Sequence, residues 1–251
     1  MDARLKCMNH LIQESNSIVI VSGLGVAYDA GLNGVRAEHI AYDIEQKYGY
    51  SSDEIMSSLF LNNRVTLFYD YYKQIVLNTE LQPTEIHKAA AKLQKAGKLD
   101  MIVTREVYPL FQMAGCKDVI EMHGSVEENY CPNCGKVYGS EFIRKAKSVP
   151  SCEVCNVPLR PGFTLIGEMV DNGKMTKASD AVEKADILLI VGASVNSPLC
   201  RHLIKYYKGK KMMLVNTHET VGDERADYRV YGNLRDLFAK ITDIQEAKED
   251  E

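Results

Sequence analysis

Residues 17–25 read SIVIVSGLG, a short apolar run rich in β-branched residues that ends directly in glycines. Such a run is typical of a strand that is buried on both faces of a parallel sheet. Three later segments have the same form, namely residues 99–104 (LDMIVT), 186–192 (DILLIVG) and 211–216 (KMMLVN). These four segments are the predicted strands of the sheet.

Helical segments lie between the predicted strands. Residues 84–97 have helical periodicity, with Thr84 as the cap and Gly97 as the stop signal. Residues 176–185 repeat this arrangement before the third strand. Because strands and helices alternate, the sequence predicts a Rossmann-like α/β fold with a doubly wound parallel sheet.

Two segments interrupt this pattern. Residues 37–83 are tyrosine-rich and helical, and we expect them to lie as an insertion over the carboxyl edge of the sheet. Four of their side chains are spaced for a single helix face: Phe60, Leu67, Phe68 and Tyr71. Residues 131–155 are polar and are predicted to be loop-like. The predicted organisation is a Rossmann-like domain of residues 1–36, 84–125 and 160–251, the helical insertion 37–83 and a four-cysteine module 126–159.

Four of the seven cysteines form the pattern C-x2-C-x17-C-x2-C, at Cys131, Cys134, Cys152 and Cys155. Two such knuckles at matched spacing are typical of a zinc site, and Gly135 allows the first knuckle to turn sharply. Four thiolates close a tetrahedral shell around Zn²⁺ and leave no position for water, so the predicted metal is structural. The alternative is four free thiols or a redox pair.

The composition excludes several classes of protein. The 251 residues are 45% hydrophobic and 25% charged, and 30 Lys and Arg against 34 Asp and Glu give a net charge of −4. Because there is no long basic block, direct binding to nucleic acid is not expected. Residues 1–16 lack a continuous apolar segment, and four cysteines stand in metal-type pairs, so we expect a cytoplasmic protein without a membrane partner.

The first predicted strand runs into a glycine-rich turn that contains Gly23, Gly25 and Gly31. Backbone amides at such a turn can approach a pyrophosphate at the start of a helix. The turn does not follow the pattern G-x-G-x-x-G, and no acidic residue follows an obvious second strand. A tight strand-to-helix turn without a ligand therefore remains open.

The order of the motifs along the chain points to one family. The motifs are the glycine turn with Arg36, Thr104 after a strand, residues 121–124 (EMHG), the cysteine module, residues 160–161 (RP) with 167–168 (GE), residues 192–194 (GAS) and residues 215–216 (VN). In this order the sequence resembles the sirtuin family, over nearly the whole chain from about residue 16 to residue 238.

The resemblance implies an NAD-dependent protein-lysine deacylase, with NAD and structural zinc as cofactors and a protein carrying an acylated lysine as partner. In that family the acyl oxygen attacks the nicotinamide ribose, nicotinamide leaves, and a histidine then acts as base on a ribose hydroxyl. That histidine matches His123; the alternative is a buried histidine bonded to a backbone carbonyl. The implied nucleotide contacts are Gly23, Gly25 and Arg36 near the pyrophosphate and nicotinamide ribose, Ser194 and Asn216 near phosphate and adenosine ribose, and Tyr231 beside adenine.

The sequence departs from the family where the nicotinamide is held. After the strand that ends at Thr104 the family has a Gln-Asn pair and then an aspartate two positions on, whereas this chain has residues 105–109 (REVYP). The family's serine after the glycine turn is Ala27, its aromatic residue before Gly-Glu is Ile166, and the loop 194–198 is one residue shorter. Three lost hydrogen bonds at roughly 1.5 kcal/mol each would cost about 4.5 kcal/mol, or about three decades in affinity or rate.

We therefore expect the family's activity to be weak or altered, and two other functions remain open. One is NAD cleavage or ADP-ribosyl transfer, in which the carboxylate of Glu106 stabilises an oxocarbenium-like ribose. Otherwise Glu106 is a solvated residue or is paired with Arg105. The other is a catalytically inactive protein of the same fold that binds ADP-ribose, another nucleotide or only a partner protein.

Overall fold

The computed structural model describes residues 3–32, 34–35 and 37–243. The described strands are β1 (Ile18–Ser22), β2 (Leu99–Thr104), β3 (Val119–Glu121), β4 (Asn129–Tyr130), β5 (Val137–Tyr138), β6 (Ile187–Val191), β7 (Met212–Asn216) and β8 (Tyr228–Tyr231). Six of them form one sheet in the order β3–β2–β1–β6–β7–β8, and all its neighbouring strands are parallel. The predicted doubly wound parallel sheet is confirmed, and its strand order reverses between β1 and β6.

The helices of the described residues flank this sheet or belong to the helical insertion and the cysteine module. They are α1 (Ala3–Glu14), α2 (Leu24–Asp29), α3 (Glu38–Tyr48), α4 (Ser52–Ile55), α5 (Ser58–Asn63), α6 (Val65–Tyr71), α7 (Glu85–Lys95), α8 (Leu110–Met113), α9 (Ser140–Lys145), α10 (Asn172–Lys184), α11 (Pro198–Leu203) and α12 (Leu234–Ile241). A π-helical turn, Tyr72–Val76, continues α6. No helix of the described residues is long and apolar enough to cross a membrane.

The caps predicted for α7 are present, whereas α10 starts earlier than the sequence indicates. Thr84 is the N-cap residue of α7, and Gly97 follows the helix with φ +68°. Helix α10 starts at Asn172 because the carboxylate of Asp171 accepts the backbone N–H groups of Gly173 at 2.6 Å and of Lys174 at 3.3 Å. The earlier start places Lys174 in the first turn of the helix.

The apolar strands divide their side chains between two hydrophobic cores. In β1, Ile18 and Ile20 contact the core that includes α1, α7 and α12, whereas Val19 and Val21 contact the core that includes α10 and α11. All five residues of β1 are buried. This explains why the strand is an uninterrupted apolar run rather than an alternating one.

A third core joins the helical insertion to the cysteine module. It includes Tyr69 and Tyr72 from the insertion together with Cys131, Tyr138 and Cys152 from the module. The Tyr69 hydroxyl donates to the Leu159 carbonyl at 2.5 Å, and the Tyr72 hydroxyl donates to Asn129 Oδ1 at 3.0 Å. The two segments therefore share one interior, which also packs against Val107 and Tyr108 after β2.

Two local predictions are wrong. Phe60 does not share a helix with Leu67, because the chain breaks at Arg64 (φ −139°, ψ 49°) between α5 and α6. The segment 131–155 is not uniformly loop-like, since it contains β5 and the helix α9. The start of α9 is held by Glu127, whose carboxylate accepts the Ser140 N–H at 2.9 Å and the Ser140 hydroxyl at 2.6 Å.

Candidate functional site

The four cysteines of the module converge on one point. Their Sγ atoms all lie within 4.8 Å of one another, and the Sγ atoms of Cys134 and Cys152 are 3.7 Å apart. A tetrahedral Zn²⁺ with Zn–S bonds of about 2.3 Å requires S···S separations of about 3.8 Å. The cluster is therefore compatible with structural zinc, and Cys131, Cys134, Cys152 and Cys155 would be its ligands.

The backbone around the cluster has the form that two metal knuckles need. Gly135 (φ +72°) and Asn156 (φ +54°) both have left-handed backbone conformations, and each directly follows the second cysteine of its pair. Cys152 Sγ accepts the Tyr138 hydroxyl at 3.2 Å and the N–H groups of Val154 and Cys155 at 3.4 Å. These donors lower the pKa of Cys152 to about 6, the Tyr138 hydroxyl having the largest effect. The thiolate form, which binds metal, is thereby favoured.

The glycines after β1 are required by a close approach to the end of β6. A Cβ atom on Gly23 would lie 2.4 Å from the Gly192 carbonyl oxygen, and one on Gly25 would lie 2.7 Å from the same atom. The Gly23 N–H donates to the Val191 carbonyl and the Gly25 N–H to the Gly192 carbonyl, both at 2.9 Å. The turn is thus a tight packing feature, and a bound pyrophosphate would have to use other N–H groups. Arg36 lies outside the described residues.

The residues predicted to bind adenosine lie at the carboxyl ends of β6, β7 and β8. Asn216 is buried, and its Nδ2 donates to the Ala193 carbonyl at 3.4 Å. The hydroxyl oxygens of Ser194 and Thr220 are 3.0 Å apart, and the Thr220 hydroxyl donates to the carboxylate of Asp223 at 2.8 Å. The Tyr231 hydroxyl donates to that carboxylate at 3.1 Å. Ser194 and Tyr231 are thus joined by one network.

The sequence prediction missed the centre of this network. Asp223 is fully buried and accepts from Thr220 and Tyr231. Burial, followed by the hydrogen bond to Asp223, raises the pKa of Tyr231 to about 12. The Tyr231 phenol therefore stays protonated and can donate to Asp223 throughout the physiological range. Nothing in the local sequence pattern distinguishes Asp223 from the neighbouring surface acids.

His123 lies two residues after the end of β3, and the cysteine module follows it along the chain. Its carbonyl accepts the Thr164 N–H at 2.7 Å, while its half-buried ring has no hydrogen-bond partner among the described residues. The ring is therefore not bonded to a described backbone carbonyl. Gly124 holds the segment in place with φ +77°, and a Cβ atom there would lie 2.1 Å from the Gly162 carbonyl oxygen.

The surroundings of His123 favour its neutral form. Burial, and then the positive charges of Arg105 and Lys174, lower the pKa of the ring. The Lys174 ammonium group donates to the Glu121 carbonyl at 2.9 Å, which places it beside the end of β3. At neutral pH the imidazole can therefore accept a proton from a group in the cleft.

Glu106 points into the protein interior. Its side chain is fully buried, Oε1 accepts the Ser22 hydroxyl at 3.3 Å, and Oε2 lies 3.5 Å from His87 Nε2. His87 Nδ1 accepts the Thr84 N–H at 3.0 Å, so the ring proton must be on Nε2, facing Glu106. Glu106 is therefore neither solvated nor paired with Arg105. His87 was not among the predicted site residues, although it stands one helical turn after the predicted cap Thr84.

Breaking this buried pair is expected to be costly. Glu106→Ala should lower the free energy of unfolding by about 1–3 kcal/mol, because the Ser22 hydroxyl loses its acceptor and His87 Nε2 loses the carboxylate 3.5 Å away in the interior. Glu106→Gln should cost only about 1 kcal/mol, since the amide oxygen can still face His87 and the Ser22 hydroxyl can rotate to accept. Urea unfolding measures the stability of both variants. Glu85→Ala, which removes an exposed acid on α7, is the control. Equal stability of the Ala and Gln variants would contradict this assignment.

Comparisons with known proteins agree over most of the chain. The model of the Sir2 family matches residues 23–197. An NAD-dependent protein deacetylase of Clostridium perfringens (strain 13 / Type A) is 33% identical over 244 residues, which cover 97% of this chain and 100% of that protein. A solved complex of a Sir2 homologue with NAD matches with a TM-score of 0.81 and 26% identity, covering 97% of this chain and 93% of that one. Sir2 bound to an acetylated peptide matches with a TM-score of 0.79 and 25% identity, covering 97% and 98%.

Proposed function

The chain belongs to the Sir2 family, and on this premise we propose that it is an NAD-dependent protein-lysine deacylase with a rebuilt nicotinamide side. The observation that carries the proposal is His123, a ring with a lowered pKa and no described hydrogen-bond partner at the carboxyl edge of the sheet. A neutral imidazole at this place can take the proton of a ribose hydroxyl. The NAD complex of a Sir2 homologue and the acetylated peptide bound to Sir2 support the same ligands here.

In the proposed reaction NAD supplies an electrophilic ribose carbon and nicotinamide as the leaving group. Ser194 after β6 and the last residues of β7 and β8, Asn216 and Tyr231, would hold the adenosine half. The Asp223 network connects Ser194 with Tyr231. His123 would act as the base at the nicotinamide ribose. The ligands proposed for zinc lie in the module that follows His123 along the chain, so the metal would stabilise the fold near the site and take no part in the chemistry.

Altered activity is proposed because two of the three polar residues that replace the family's Gln-Asn-x-Asp stretch, Glu106 and Tyr108, have their polar groups bonded inside the protein. The Glu106 carboxylate is directed at Ser22 and His87. The Tyr108 hydroxyl donates to the Val76 carbonyl in the π-helical turn at 3.0 Å. Neither group is free to hold a carboxamide, so we expect binding of nicotinamide to be weak and turnover to be slow.

The alternative in which Glu106 stabilises an oxocarbenium-like ribose receives less support from these contacts. A carboxylate that is fully buried and has Ser22 and His87 as partners would need to turn around to reach the cleft. The alternative keeps a clear test, since Glu106→Gln should then release nicotinamide from NAD more slowly than the parent protein.

The proposed location is the cytoplasm, where the four zinc-binding thiols stay reduced.

The proposal is tested by titrating NAD and ADP-ribose into the zinc-bound protein by calorimetry, followed by deacylation of an acetyl-lysine peptide. We expect NAD to bind and the peptide to be deacylated slowly. Asn216→Ala should weaken the binding of NAD and of ADP-ribose at least tenfold. Asn172→Ala, which replaces an exposed asparagine on α10, should not weaken either. Binding of ADP-ribose without NAD would indicate a changed ligand. No binding of either at millimolar concentration would support the catalytically inactive alternative.

A further inference from the structure

The loop that carries the proposed base is bonded to the chain that leaves β2. The Thr104 carbonyl accepts the Met122 N–H, and the Val107 carbonyl accepts the Val126 N–H, both at 2.9 Å. Met122 and Val126 stand on either side of His123 in the sequence. The position of His123 therefore depends on where the chain between the two acceptor carbonyls lies.

Glu106 fixes this chain, residues 104–107, to the protein interior. Its backbone N–H donates to the Thr104 hydroxyl at 3.0 Å. Its side chain is fully buried, with Oε1 accepting the Ser22 hydroxyl at 3.3 Å and Oε2 lying 3.5 Å from His87 Nε2. Neither Oε2 nor Nε2 has a hydrogen-bond partner among the described residues. Because a buried carboxylate without a partner is costly, the contact with His87 keeps the Glu106 side chain turned inward.

His87 is held in one orientation by its own helix and by α8. Its Nδ1 accepts the Thr84 N–H at 3.0 Å, which forms part of the capping box of α7. The ring is fully buried and packs on the Phe111 ring, with 4.6 Å between the ring centroids. Since Nδ1 is used as an acceptor, the ring proton is on Nε2. His87 therefore presents a fixed N–H group to the Glu106 carboxylate.

We propose that His87 is a positioning residue for the deacylation reaction, because through Glu106 it fixes residues 104–107 and with them the loop that presents His123. The inference rests on the proposed function for the step that it serves. A general base must lie within hydrogen-bond reach of the proton that it takes, and a displacement of about 1 Å can slow a step about 100-fold. In this role Glu106 serves the reaction from the interior and needs no contact with the ligand.

The first test follows a single turnover of the zinc-bound protein with NAD and acetyl-lysine peptide. His87→Ala and Glu106→Ala should each slow the formation of deacylated peptide about 10- to 100-fold and slow the release of nicotinamide much less. The double variant should be no slower than either single variant, because both substitutions break the same connection. Glu106→Gln, whose amide oxygen still faces His87, should form product at a rate close to that of the wild type.

Leu93→Ala is the control for a loss of stability alone. Leu93 is a fully buried residue of the same helix, so its truncation destabilises the core without removing a group that faces Glu106. With the variants shown to be folded by circular dichroism, Leu93→Ala should react like the wild type. Equal slowing by Leu93→Ala and His87→Ala, additive effects of the two single substitutions, or an equal fall in nicotinamide release and product formation would each overturn the positioning role.

The second test detects a displacement near His123 without the need for activity. The titration of its ring is followed by NMR of histidine-labelled protein, with the spectrum of His123→Ala as the assignment. Burial and the charge of Arg105, which belongs to residues 104–107, lower the pKa of the ring. A displaced segment in His87→Ala should therefore move the titration toward the ordinary histidine value of about 6.5.

The two tests separate the failure of this inference from the failure of the proposed function. A moved titration in a protein that binds no NAD would overturn the proposed function and support the positioning role. An unchanged titration overturns the positioning role, and deacylation of the peptide by the wild type then leaves the proposed function intact. An unchanged titration without any binding of NAD overturns both.

Discussion

Removal of zinc is expected to unfold the cysteine module and the helical insertion together, while the six-stranded sheet keeps its structure. The reason is the shared core, in which Cys131, Tyr138 and Cys152 pack with Tyr69 and Tyr72 of the insertion. Structural zinc contributes about 10–16 kcal/mol of folding free energy in small zinc-binding peptides. A loss of that size exceeds what one shared hydrophobic cluster can offset, since whole domains are stable by only about 5–15 kcal/mol.

The experiment combines metal analysis with hydrogen exchange. The purified protein should contain one zinc ion per chain, and a chelator should remove protection from residues 37–83 and 126–159 at the same rate. Strands β1, β6 and β7 should remain protected, because their cores contain no zinc ligand. Cys131→Ser should reproduce the effect without chelator, whereas Cys7→Ser, an exposed cysteine on α1, should not. Continued protection of the insertion after metal loss would show that it folds independently.

The strands that the sequence predicts are the four that have a neighbouring strand on both sides. Strands β1, β2, β6 and β7 lie inside the sheet, and their apolar runs identify them without knowledge of any neighbour. Strands β3 and β8 are the two edges. Because β3 has only three residues and β8 reads YRVY, neither has an apolar run that differs from its surroundings. Their assignment depends on pairing with β2 and β7, which is tertiary information.

The residues of the candidate site likewise include some that the local sequence predicts and others that only the packed structure brings together. The four-cysteine cluster could be predicted because each Cys-x2-Cys pair forms a local turn, and only the meeting of the two pairs depends on the fold. The partner of Glu106 could not be predicted, because His87 is on α7 and Ser22 is at the end of β1, so three distant segments meet only in the packed structure. The same holds for Asp223, which connects Thr220 to Tyr231. Resemblance to a family identifies the positions of the sequence that match a known site, but it does not show in which direction a replaced side chain points.

Replacement of His123 by alanine is expected to reduce the formation of deacylated peptide by about 10²- to 10⁴-fold, the usual contribution of a positioned general base. In a single turnover, the release of nicotinamide from NAD in the presence of acetyl-lysine peptide should fall much less, because the base acts after nicotinamide has left. KM for the peptide should change little, since the ring is not proposed to bind it. His10→Ala, an exposed histidine on α1, is the control.

The pH dependence separates a base from a structural histidine at this position. Only neutral imidazole accepts a proton, so the rate should fall as the pH drops through the pKa of His123. That pKa is lowered by burial and by the charges of Arg105 and Lys174, so the decline should begin below the ordinary histidine value of about 6.5. Arg105→Gln removes one of these charges and should move the decline to higher pH. A His123→Ala protein that still forms product with the wild-type pH profile would place the base on another residue.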